Sequence, residues 1–224
     1  MNHNHFDVET GELDRRIFSD EKIYQEELKK IFGRAWNFMC HQSQIPDPGD
    51  FFMNWIGEDE VIVVRGRDGN INVLLNTCSH RGNSVCRAEL GTTKSFFCSY
   101  HGWNYDLDGS LIGMPGESDF YRSNINKKDW GLTTAAKVED YQGFVFATLD
   151  PAAPPLEDYL GWVGRLGIDF MASLGELEFL DGVQKNRVRC NWKIAVDNLY
   201  DWYHVKVTRS EEHTSELQSR SELV

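Results

Sequence analysis

Cys78-Ser-His80 and, after seventeen further residues, Cys98-Ser-Tyr-His101 form the stretch on which the reading of this chain turns. Two short segments supply two thiolates and two imidazoles. Such a set either holds one tetrahedral zinc or divides into two cysteines on one iron and two histidines on another. Both pairs sit in apolar, strand-like text, Ile71-Asn-Val-Leu-Leu75 before the first and Ser95-Phe-Phe97 before the second. Each pair is followed by glycine, in His80-Arg-Gly82 and in His101-Gly102-Trp103.

The chain has 224 residues, enough for one large domain or two small ones, and a formal charge of −12. That charge argues against nucleic acid and against acidic membrane surfaces as partners. The N-terminus, Met1-Asn-His-Asn-His-Phe-Asp7, has neither the basic nor the apolar region of a secretory signal. No apolar run approaches the roughly 20 residues that cross a bilayer, so a cytoplasmic address is expected. Five cysteines in a chain this long do not make a disulfide scaffold. Cys40, Cys86 and Cys190, outside the motif, are expected to be reduced and packed as small apolar groups.

In chain order, residues 1–18 carry few structural signals, and the His3-x-His5 pair reads as part of a mobile terminus. Ser19 or Asp20 should cap a helix with Glu21, Glu26 and Glu27 early, Lys29-Lys30 late and Gly33 as its stop. Its apolar residues Ile23, Leu28, Ile31 and Phe32 form a stripe that should pack on a neighbouring domain. From Trp36 to about Pro151 the text is β. Asp50–Trp55, Val61–Val64 and Ile71–Leu75 read as strands, with hairpins at Arg67-Asp-Gly-Asn70 and around Asp108-Gly109, and Gln142–Leu149 closing the region. These short strands predict a small antiparallel β domain whose function lies in its two ligand loops. Asp150-Pro-Ala-Ala-Pro-Pro155 marks a boundary. Beyond it, Leu156–Leu174 looks helical with glycine interruptions, and Glu176–Cys190 looks like strand.

Asn191-Trp-Lys-Ile-Ala-Val-Asp-Asn-Leu-Tyr-Asp-Trp-Tyr-His204 is the second informative stretch. On a continuous helix Asp197, Asn198, Asp201 and His204 would share one face, while Trp192, Leu199, Trp202 and Val205 would point elsewhere, as in a buried helix. Taken alone, this is equally a surface stripe of acids with one satisfied histidine.

The Cys-x-His and Cys-x-x-His-Gly-Trp segments, at this spacing, resemble the Rieske [2Fe–2S] motif of bacterial aromatic-ring-hydroxylating dioxygenases, in their catalytic α subunit. The resemblance covers about residues 20–208. It implies that Cys78, His80, Cys98 and His101 hold a [2Fe–2S] cluster. Respiratory Rieske proteins carry a further cysteine in each ligand loop. Asn83 and Tyr100 stand there instead, which points to the oxygenase or ferredoxin branch and a potential at the low end of the Rieske range, roughly −150 mV. The implied fold is mainly β with α: a helical segment (1–35), a Rieske domain (36–151) and the beginning of an α+β, helix-grip type catalytic domain (152–208). Trp103 is expected to shield the cluster from water.

The Asn191–His204 run resembles the opening of the same family's mononuclear-iron motif. His204 matches the first histidine of a 2-His-1-carboxylate triad, Asp201 the acid that links this iron to a Rieske histidine of the adjacent subunit, and Asn198 an asparagine of the iron pocket. That implies single-electron transfer from cluster to iron, O₂-dependent dihydroxylation of an aromatic compound, and electrons from NAD(P)H through a reductase, with or without a ferredoxin. It also implies a ring of subunits, a homotrimer or an α3β3 assembly. The pattern then departs from the family. Arg209 stands where the second histidine is expected, His213 is out of register, and Arg209–Ser219 looks like a translated sequencing adapter, so residues 209–224 are expected to be non-native. Three other readings remain open on the sequence: an electron-transfer module only, a Rieske monooxygenase or demethylase, and a structural zinc protein.

Overall fold

The computed structural model describes residues 5–122, 124–180, 182, 185–186 and 188–201. The chain divides into two units, Gln25–Asp181 and Met1–Tyr24 with Gly182–Val224.

In the larger unit, strand β3 (Asp59–Arg65) decides the layering. Its run Val61-Ile-Val-Val64 is fully buried, because successive side chains point to opposite faces and both faces are covered. Val61 and Val63 enter one core; Ile62 and Val64 enter another. β3 is an inner strand of an antiparallel sheet ordered β4-β3-β2-β5, with β2 at Asp50–Ile56, β4 at Ile71–Leu75 and β5 at Leu90–Thr92. Against one face lies a second antiparallel sheet, β1 (Asn37–His41), β10 (Phe144–Thr148) and β9 (Lys137–Tyr141), with Met39, Val145 and Ala147 in the shared core. Against the other lies a small sheet of β6 (Phe96–Phe97), β7 (Asn104–Tyr105) and β8 (Leu111–Gly113). Its core joins Phe96, Trp103, Tyr105 and Leu111 to Phe51, Ile62 and Leu74.

The antiparallel β domain expected from the sequence is therefore present. Both Asp-Gly hairpins form, with Gly69 and Gly109 at φ +84° and +85°, the left-handed region these turns require. β1, β5 and β9 had not been read as strands. Helix α1 (Glu21–Glu27) starts at Asp20, whose carboxylate accepts from Lys22 N–H, and continues as a wider π turn, Leu28–Phe32, to Gly33. Of the expected apolar stripe, Leu28 and Phe32 lie against Gly57 in the β2–β3 turn, while Ile31 is exposed. After the Pro154-Pro155 boundary, α2 (Leu156–Ala172) runs with a break at Gly161 (φ +59°). It buries Leu156 and Ile168, while Trp162, Leu166 and Phe170 face outward.

Three expectations are corrected here. Glu176–Cys190 forms no strand among its described residues; Phe179 instead stacks on His41, ring centroids 5.1 Å apart at 18°. Residues 5–18 also carry more structure than their sequence suggests. Phe6 bridges Leu13, His5 Nδ1 lies 3.4 Å from Asp14 Oδ2, and a 3-10 turn follows at Arg15–Phe18; His3 lies outside the described residues. All five cysteines are free, but only Cys40, Cys78 and Cys98 are buried, and Cys190 is exposed rather than packed. Burial pushes the Cys40 thiol up to about 12.

Leu74 sits fully buried beneath the small sheet. Leu74→Ala is expected to lower unfolding free energy by about 2–5 kcal/mol, read from urea denaturation, against about 0.5 kcal/mol or less for the half-exposed Ile112→Ala. Burial also holds His41 below its usual value of 6.5, against an opposing hydrogen bond to the Gln142 backbone. The unfolded chain then takes up a proton near pH 6.5 that the folded chain takes up only at lower pH. Stability from this group is therefore full above that pH and falls as pH drops below it. His41→Asn, which keeps a capping acceptor but cannot titrate, should flatten that part of the urea midpoint against pH.

Candidate iron–sulfur site

The first ligand loop leaves the end of β4, and the second lies between β6 and β7. The two are built alike. In the first, Cys78 N–H donates to Asn83 O (2.9 Å) and Gly82 N–H to Cys78 O (2.8 Å). In the second, Cys98 N–H donates to Trp103 O (2.8 Å) and Gly102 N–H to Cys98 O (2.9 Å). Gly82 and Gly102 both take φ +74°. A side chain at Gly102 would meet Pro115 Cγ at 2.7 Å, so this glycine is required twice over.

Asn76, buried at the end of β4, ties the first loop to its frame. Its Oδ1 accepts from Val85 N–H (2.9 Å) and Cys86 N–H (2.8 Å), and its Nδ2 donates to Cys86 O (2.7 Å) and Glu60 Oε2 (2.5 Å). The sequence reading missed this residue. The only available signal was a polar side chain directly after an apolar strand.

The four motif side chains come together as expected. Cys78 and Cys98 are 3 % and 1 % exposed, on the inner side. The rings of His80 and His101 lie nearer the surface, centroids 4.5 Å apart and 72° inclined. His80 Nδ1 is buried and has no hydrogen-bond partner, the signature of a nitrogen reserved for a ligand. Burial opposes ionisation of Cys98, but the N–H groups of Tyr100 and His101, then Cys78 and Asn83, donate to its sulfur and bring its pKa below the ordinary thiol value. Cys78 Sγ lies 3.1 Å from the Tyr105 hydroxyl, which also accepts from Ser79 N–H. Burial, and then that sulfur, hold the Tyr105 proton on and its pKa well up. Burial, and then the neighbouring His101 and Arg81, hold the His80 imidazole below its usual value of 6.5.

These observations fit a split ligand set better than a single ion. Two buried sulfurs below two imidazoles is the donor distribution of a two-iron cluster with cysteine on one iron and histidine on the other. Trp103, fully buried, stacks on His80 at 4.9 Å and 4°, with Trp130 and Tyr121 edge-on behind it. The shielding role expected of Trp103 has a geometric basis in this stack.

Of the second candidate site, Asp197 and Asn198 lie on helix α3 (Trp192–Tyr200), capped by Asn191, whose Oδ1 accepts from Lys193 N–H. The helix stops one residue short of Asp201. That residue is its C-cap, with N–H to Asp197 O but a non-helical ψ of 87°. The single face expected to run through Asp201 is thus broken at Asp201, and His204 lies outside the described residues. Nor is α3 buried as expected: Ile194, Val196, Leu199 and Tyr200 are exposed.

The loops, their four donors and the layered sheets define an iron–sulfur protein of the Rieske type, and residues 35–135 match the Rieske [2Fe-2S] domain family. Biphenyl 2,3-dioxygenase subunit alpha of Rhodococcus jostii is 46 % identical over 90 % of this chain and 44 % of its own length. The large oxygenase component of the naphthalene 1,2-dioxygenase system of Pseudomonas putida is 43 % identical over 91 % of this chain and 44 % of its own length. The solved naphthalene 1,2-dioxygenase from Rhodococcus sp. superposes with a TM-score of 0.82 at 39 % identity, over 89 % of this chain and 46 % of that one. The chain carries a Rieske [2Fe-2S] domain over residues 35–135 and is similar, over about nine-tenths of its length, to the α subunits of dioxygenases. It spans a little under half the length of the curated relatives it matches.

The Tyr105 hydroxyl lies beside Cys78 Sγ and would stabilise the more negative, reduced form of a cluster held there. Tyr105→Phe is expected to keep the cluster and lower its midpoint potential, measured by EPR-monitored redox titration.

Proposed function

We propose that the chain is the cluster-bearing part of an oxygenase α subunit and takes part in O₂-dependent dihydroxylation of an aromatic compound. The observation that carries this is the joining of Cys78, His80, Cys98 and His101 by two matched loops above a buried core. When bound, a [2Fe–2S] cluster accepts and releases one electron at a time. The chain's residues hold the thiolates dry with N–H and O–H donors, keep both imidazoles near the surface, and exclude water behind Trp103. The histidine side, where Tyr100 and Phe97 are exposed, would be the face open to an electron-transfer partner.

In this reading residues 36–151 are the Rieske domain and 152–208 begin the catalytic domain. The outward apolar faces of α2 and α3 support that division, because a following domain would cover them. His204 and the acid–amide pair of Asp201 and Asn198 would serve the mononuclear iron and its link to a neighbouring subunit's cluster. The partners are a ferredoxin or an NAD(P)H-dependent reductase, further α subunits in a trimer or α3β3 ring, O₂ and an aromatic small molecule, in the cytoplasm. No described helix is long and apolar enough to cross a membrane. The dioxygenase reading is favoured over a monooxygenase of the same fold. Naphthalene dioxygenase structures match at up to 42 % identity, whereas a quaternary ammonium Rieske monooxygenase matches at 26 % with a TM-score of 0.75.

Chain prepared without oxygen is expected to be red-brown, to carry inorganic sulfide, and to give a Rieske-type EPR signal once reduced. Two irons per chain indicate the cluster alone, and three indicate a filled mononuclear site. Colourless, sulfide-free folded protein would defeat the proposal.

A further inference from the structure

The two ligand loops follow one plan, so Asn83 and Trp103 occupy the same place, five residues after Cys78 and Cys98 respectively, each accepting that cysteine's N–H at its carbonyl. Each then reaches across to the other loop. Trp103 stacks on His80. Asn83 Nδ2 lies 3.7 Å from Cys98 Sγ and 2.9 Å from Ser84 O. Both partners are acceptors, so the amide is oriented with its NH₂ toward the sulfur and each hydrogen has a destination.

We infer that Asn83 is a positioning residue of the iron–sulfur site: its side-chain amide clasps the two ligand loops and, by donating to the Cys98 sulfur, raises the cluster's reduction potential. The physics is one of charge. Reduction adds one negative charge, part of which falls on the ligand sulfurs, and an N–H dipole aimed at a sulfur stabilises the more negative form. The Cys98 sulfur already receives the backbone N–H groups of Tyr100 and His101, which are fixed by the turn. Asn83 is the one donor among its hydrogen-bonding neighbours that belongs to the opposite loop without being a cluster ligand, so it couples loop closure to potential.

The test is the midpoint potential of cluster-loaded chain, wild type against Asn83→Leu and Asn83→Asp, by EPR-monitored titration. Asn83→Leu keeps the branching at Cγ and the backbone bond to Cys78 but removes the donor, and its potential is expected to fall. Asn83→Asp replaces the donor with a carboxylate, and its potential should fall further. A merely structural role gives the opposite sign, because a loosened loop admits water, which favours the reduced, more highly charged form. An unchanged or raised potential in loaded Asn83→Leu overturns the inference. Should the variants fail to load, the wild type decides. Labelled with ¹⁵N in its asparagine side-chain amides alone, reduced protein is expected to show a weak ¹⁵N coupling in pulsed EPR, and its absence also overturns the inference. The inference rests on the cluster assignment, whose own failure would appear separately, as wild-type protein without inorganic sulfide.

Discussion

Two thiolates must be held in a dry interior while remaining thiolates, and the rest of the larger unit answers to that requirement. A buried anion without donors is strongly disfavoured, so the site needs N–H and O–H groups aimed at sulfur before any iron arrives. The two five-residue turns supply them. A turn closed by its own cysteine N–H, with glycine at φ +74°, points backbone amides inward, and for Cys98 those of Tyr100 and His101 land on the sulfur. Tyr105 does the same work for Cys78 from β7.

Turns of this kind hold position only on a stiff frame, and the frame is the three-layer stack. β3 feeds a core on each of its faces, so the cluster-bearing small sheet and the β1-β10-β9 sheet are fixed to one central sheet. Asn76 carries that rigidity into the first loop, since its amide fills four hydrogen bonds between the end of β4, Glu60 on β3 and the loop's return at Val85 and Cys86. Leaving any of these buried groups unpaired would disfavour the fold by about 1–3 kcal/mol, which makes the loop entrance one of the least replaceable parts of the unit.

What could be read from the sequence was what local chemistry specifies. Asp68-Gly69 and Asp108-Gly109 demand tight turns wherever they lie, and Cys-x-His with Cys-x-x-His demands a shared ligand, so hairpins, motif and β domain were all legible. β9, Lys137-Val-Glu-Asp-Tyr141, was not, because its strand character comes from pairing with β10 and not from its own polar residues. β5 is three residues long and exists through its pairing with β2. The contacts of Asn76 and Asn83 are tertiary, and an asparagine in a loop carries no mark that distinguishes a strut from a turn. For Glu176–Cys190 the error ran the other way. The text looked like strand, but Phe179 is held instead by its ring against His41 and by its N–H on the Ser43 hydroxyl.

The break at Asp201 has the same origin, seen on a helix. Placing Asp197, Asn198, Asp201 and His204 on one face assumed that the helix runs on, whereas α3 spans nine residues and leaves Ile194, Val196 and Leu199 exposed. A helix that short is marginal on its own, and β-branched residues at two of those positions make it weaker still. Its length is therefore set by how much apolar surface something else covers, and spacing alone cannot supply that. The N-cap at Asn191 is local and forms without help, whereas the C-terminal extension through Asp201 depends on burial that this helix does not have. An acid assigned from periodicity thus stands as the cap of a helix that a longer apolar contact would be needed to extend.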